Sequence, residues 1–134
     1  MNKKLTEILK IDTAINNADI IGAGIQSGYY SMENYRRAVV KVDTGLVADT
    51  KTVTLQLYEA KDLEATSEQA LGDPIVVVVD NVSGEVVEIT TEIKDTTLTD
   101  GFSCISVKAT SNNATAVYGV ANLLRGDSRY VPVL

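Results

Sequence analysis

The sequence predicts a mostly β fold, an antiparallel β-sandwich or small barrel preceded by an N-terminal helix or extended arm. Residues 52–58 alternate, with Val53, Leu55 and Leu57 on one face and Thr54, Gln56 and Tyr58 on the other. Ile105, Val107 and Ala109 repeat that period within 102–110. Turn signals punctuate the chain about every 8–14 residues, with no helical crossover between most of them. Aromatic content is 5%, with six Tyr, one Phe and no Trp, so the core must be built from Val, Ile, Leu and Ala.

From the N-terminus, Leu5, Ile8, Leu9, Asp12 and Ile15 follow helical spacing and predict a short amphipathic helix over 3–16. Residues 20–35 then carry Gly22, Gly24 and Gly28, followed by Tyr29, Tyr30 and Tyr35, which reads as an extended arm. The expected division is a helix and arm over 1–34 and one β domain over 35–134. A helix this short needs a surface to pack on, either its own domain or a neighbouring subunit. On the second reading, Leu5, Ile8, Leu9, Ile11, Ile15, Tyr29 and Tyr30 form a protein-interaction arm. Deleting residues 1–28 should then leave a folded domain that no longer assembles.

The β pattern starts after Tyr35, with Ala38, Val40 and Val42 alternating against Arg37, Val39 and Lys41. Residues 61–71 are a polar connection with room for one helical turn. Pro74 opens the run 75–79 (IVVVV), whose continuous β-branched character predicts a strand covered on both faces. After the turn at 80–85, Val87, Ile89 and Ile93 share a face. Another turn at Thr99-Asp100-Gly101 precedes 102–110, and the polar turn 111–115 leads to a long apolar strand over 115–124.

Composition narrows function. A chain of 134 residues fits one domain and can bury a core without staples. Hydrophobic residues make up 45% and charged residues 22%, as in soluble globular proteins. The net charge of −6 disfavours nucleic acid and anionic membranes as partners. No stretch approaches the roughly 20 apolar residues of a membrane span, and Glu7, Lys10 and Asp12 interrupt the N-terminus, so no export signal is expected. The single Cys104 excludes an internal disulfide.

The chemistry-bearing motifs are sparse. With no histidine, the commonest general base and neutral metal ligand are missing, and so are the His-dependent catalytic triads. We therefore expect no catalytic residues, no metal and no cofactor. Gly22-Ala23-Gly24-Ile25-Gln26-Ser27-Gly28 approximates a dinucleotide loop but mis-spaces its third glycine. Glu85, Glu88 and Glu92 suit a solvated face better than acid–base work. Asp80, Asn81 and Glu85 fit a plain turn at Gly84 better than a calcium loop. Cys104 has no basic neighbour in sequence to activate it and reads as a half-buried structural thiol. Arg125-Gly126-Asp127 matches the integrin tripeptide, and Asn81 and Asn113 head glycosylation acceptors that stay idle without export.

Three segments carry a family likeness: Tyr35-Arg36-Arg37-Ala38-Val39-Val40-Lys41-Val42, Val53-Thr54-Leu55-Gln56-Leu57-Tyr58-Glu59-Ala60, and Arg129-Tyr130-Val131-Pro132-Val133. In this order they resemble small accessory structural proteins of tailed bacteriophages, over roughly residues 30–134. The resemblance implies a β domain in a virion assembled in the host cytoplasm. The role expected on this basis is a capsid accessory or decoration protein that bridges major capsid subunits, as a homo-oligomer. A head–tail connector or tail component is the nearest alternative. From other classes come a receptor- or carbohydrate-binding β module and a carboxylate hydrolase.

Overall fold

The computed structural model describes residues 9–128. The strands are β1 (Leu9–Asp19), β2 (Ile25–Gln26), β3 (Tyr30–Ser31), β4 (Tyr35–Val47), β5 (Thr52–Ala60), β6 (Gln69–Val78), β7 (Glu85–Lys94), β8 (Cys104–Ser111) and β9 (Tyr118–Ser128). The helical content of the described residues is a single 3-10 turn at Asp95–Thr97.

Two sheets face each other. One has the order β1-β9-β4-β7, and the other has the order β2-β8-β5-β6 with β3 also pairing to β8. Every pairing between these strands is antiparallel. The sheets remain open at their edges, so of the two expected arrangements, sandwich and small barrel, the structure has the sandwich.

The register explains the core. Ala38, Val40 and Val42 of β4 lie beside Arg125, Leu123 and Ala121 of β9, and beside Ile93, Thr91 and Ile89 of β7. The opposite layer contributes Val53 and Leu55 from β5 with Val107 and Ala109 from β8. These core aliphatics are at most 5% exposed, and each such Val, Leu or Ile stabilises the fold by about 1.5–3 kcal/mol. Outward residues on β4 and β7 pair as Arg37–Glu92 (3.6 Å) and Lys41–Glu88 (3.3 Å). Both pairs are exposed, so each adds little stability.

The helix expected over 3–16 is a strand from Leu9 onward; residues 1–8 lie outside the described residues. Its pairing with β9 shifts register between Thr13 and Ile15 and again between Ile15 and Ala18. Inward-facing Asp12 and buried Ile15 therefore fall three residues apart, and that spacing imitates a helical period. The residues that follow also belong to the sandwich. Ile20 is 0% and Met32 1% exposed, and both join the core cluster. Gly24 serves close approach rather than reach, because at its φ of +78° a Cβ would sit 2.2 Å from Thr110 Cγ2.

The run 75–79 also differs from expectation. β6 is an edge strand, and Val76 and Val78 are 52% and 60% exposed. A two-layer sandwich covers each sheet on its inner face alone, so a fully apolar strand leaves every second side chain in water. Residues 61–68 make a turn-rich connection pinned by Asp62, which accepts hydrogen bonds from Thr66 and the Glu64 N–H.

Candidate interaction surface

The buried charged side chains, Arg125 and Glu59, are committed to holding the fold. Arg125 points inward from β9, at 9% exposure. Its Nη2 meets Asp12 Oδ2 of β1 at 2.7 Å, and its Nη1 donates to the Ser31 carbonyl of β3 at 2.7 Å. The guanidinium lies 5.6 Å from the Tyr30 ring centroid and 4.9 Å from that of Tyr35. One cation thus ties four strands together. This placement withdraws Arg125 from any integrin-type display of the tripeptide.

Glu59 of β5 is 1% exposed and clamps the loop after β7. It accepts hydrogen bonds from the Thr99 N–H, the Thr99 hydroxyl and the Gln69 amide. Asn81 caps its turn through the Ser83 and Gly84 N–H groups, which fits the turn reading. No group of three or more His, Cys, Asp or Glu side chains among the described residues could hold a metal ion.

Cys104 is more deeply buried than expected, at 3% exposure. Burial pushes its thiol upward; a hydrogen bond from Ser103 opposes the shift, and the carboxylates of Glu33, Asp62 and Glu64 add to it. The Tyr29 phenol is likewise pushed upward by burial and by Glu68. Both groups are neutral in the fold. Their contribution is therefore fully present below the unfolded thiol's value of 9.0 and is lost as pH rises through the folded values. We expect Cys104 to react with a thiol reagent at pH 8 far more slowly in native protein than in denatured protein. Cys104→Ala should flatten the loss of stability above pH 9, and Tyr29→Phe the loss above pH 10. Equal labelling rates in the two states would contradict this placement.

The arm residues separate on inspection. Leu5 and Ile8 lie outside the described residues, as does the side chain of Leu9. Ile11 is 60% exposed on the outer face, whereas Ile15 is 2% exposed in the chain's own core. Tyr29 and Tyr30 are half-buried, the latter against Arg125. The tyrosines described give no paired exposed platform of the kind that stacks sugars: Tyr118 is 54% exposed, while Tyr29, Tyr30, Tyr35 and Tyr58 are half-buried.

The free apolar surface gathers elsewhere. Val76 and Val78 on β6, Val82 in the turn, and the paired Val86 and Leu46 are 52–93% exposed. All five belong to edge strands β6 and β7, the turn between them or neighbouring β4, and none of them lines the cleft of about 170 Å³ that opens between β6 and β7. Leu57, Leu71, Ile75 and Ile93 line its floor, with Asp73 and Glu92 at the rim. The surface suits protein contact, and it holds no converging acid–base pair. The sequence signal for it was the uninterrupted run after Pro74.

No protein-family model matches the chain, and no curated protein matches it. Solved structures do. The structure of infectious bursal disease virus, Gx strain, aligns with TM-score 0.51 at 10% identity, over 92% of this chain and 33% of that one. T=1 particles derived from infectious bursal virus align with TM-score 0.52 at 7% identity, over 87% of this chain and 31% of that one. The chain spans about a third of the length of these chains. At such identities the likeness is one of fold.

Proposed function

We propose that this chain is a structural subunit of a virion, acting by binding neighbouring proteins rather than by chemistry. The observation that carries the reading is the grouping of exposed apolar side chains on the β6–β7 side, while Arg125, Glu59 and Cys104 are consumed inside the fold. A sandwich of this shape recurs within two virus-particle structures, which supports a role in assembly. The finer reading, from the segments that resemble tailed-phage proteins, is a capsid accessory protein bridging major capsid subunits. On this reading Leu5, Ile8, Leu9 and Ile11 add a second contact at the N-terminus.

Quantitative mass spectrometry of purified particles tests it. The chain should appear at a fixed ratio to the major capsid protein. A variant lacking residues 1–8 keeps every described strand, so it should fold yet show lower occupancy. Particles devoid of the chain would overturn the reading, and full occupancy by the truncated form would remove the N-terminal contact.

A further inference from the structure

The register of β5 fixes what the open edge of β6 offers. Thr52 pairs with Val78. The Thr52 N–H donates to Asn112 Oδ1 at 2.8 Å, and its carbonyl accepts from the Ser111 hydroxyl at 2.7 Å. Both groups therefore point toward β8, which makes Thr52–Val78 a non-hydrogen-bonded pair. The Val78 N–H and C=O then face away from β5, toward the open edge. Val79 agrees, since its N–H donates to Lys51 and its carbonyl accepts from Thr50. Register runs without a shift from Thr52 to Leu55, so the two-residue period gives Val76 the orientation of Val78.

Among the described residues no strand pairs with the outward backbone donors and acceptors of Val76 and Val78, which lie beneath half-exposed apolar side chains. The other described edges are blunted. β7 carries exposed Glu85, Glu88, Glu92 and Lys94, β1 is interrupted by two register shifts, and β2 and β3 are two residues each. On β6 the free stretch is bounded by Pro74, which has no N–H, and by the turn at Asp80.

We infer that the edge of β6 pairs with the same edge of a second copy, antiparallel about a two-fold axis at Val77. The stretch is self-complementary. Val76 meets Val78 of the second copy, each pair exchanging both backbone hydrogen bonds, and the four outward valines form one row. The two sheets become one continuous sheet. This inference rests on the reading of the chain as an assembly subunit and names its partner. The contact is small, so it is weak in isolation and strengthened by multivalency in a particle. Asp80 of one copy lands beside Pro74 and Asp73 of the other, so screening salt strengthens the pair.

Sedimentation over a range of protein concentrations, at low and at high salt, tests this on the full chain. Wild type should self-associate to a dimer, more tightly at high salt. Val78→Pro removes an edge donor and no bond to β5, and Val76→Lys places a charge on the outer row. Each should weaken dimerisation at least tenfold and leave the melting temperature nearly unchanged. Should the proline variant fail to fold, Val76→Lys still decides. A monomeric wild type, or two folded variants that dimerise as wild type does, overturns the edge assignment. The outcome is separable from the subunit reading. A monomer found at fixed ratio in particles removes the edge and keeps that reading, whereas an edge dimer absent from particles does the reverse.

Discussion

Deleting residues 1–28 is expected to unfold the protein, not to release an intact domain from its arm. The deletion removes β1 and β2 together with Ile15 and Ile20, at 2% and 0% exposure. Each isoleucine contributes about 1.5–3 kcal/mol of burial, before any cost for the space it leaves. β9 would also lose a partner that pairs with it from Leu9↔Gly126 to Asp19↔Tyr118, and Arg125 would lose the Asp12 carboxylate. The sum rivals the whole stability of a small domain, about 5–15 kcal/mol. Near-UV circular dichroism and amide dispersion should collapse, and the cooperative melting transition should vanish. A truncated protein that melts cooperatively would show that residues 35–134 fold alone. Deletion of residues 1–8 is the matched control and should retain the transition.

The second large effect is at Arg125. Arg125→Met removes the cation and leaves the Asp12 carboxylate, 24% exposed, facing the half-buried space between β1 and β9. Breaking a buried pair from one side costs about 3–5 kcal/mol. Asp12 keeps some solvent, so the lower end applies, and a drop in melting temperature on the order of 10 °C follows. The Ser31 carbonyl loses its donor, and the Tyr30 and Tyr35 rings lose a cation worth about 0.5–1 kcal/mol each. Removing both charges, in Asp12→Leu with Arg125→Met, should recover most of the loss, because the uncompensated carboxylate is gone. Thermal and urea melts of the two single variants and the double variant give the coupling directly. An Arg125→Met protein as stable as wild type would mean that the guanidinium contributes nothing net.

Legibility in the sequence followed the regularity of each strand. β5, β7 and β8 keep an unbroken period of two along their buried faces, so Val53 and Leu55, Val87 and Ile89, and Ile105 and Val107 announced both strand and core face. β1 did not, because its two register shifts break that period and place Asp12 and Ile15 as a helix would. Arg125 could not be read either. An arginine before Gly126 looks like a surface loop until Asp12, Ser31, Tyr30 and Tyr35, distant in sequence, converge on it.

The sequence by itself determined an antiparallel β fold, sandwich or small barrel, because alternation and turn spacing are local properties of each strand and survive any order of assembly. It also limited the available chemistry, since a chain without histidine and with one cysteine has few reactive groups to arrange. Which strand lies at an edge was decided by tertiary structure alone. The run 75–79 has the composition of a strand covered on both faces, yet it ends a sheet and leaves Val76 and Val78 in water. Burial of a strand depends on which neighbours arrive on its two sides and its two faces. Those neighbours come from β5 and from the opposite sheet, and no pattern within the run itself encodes their arrival.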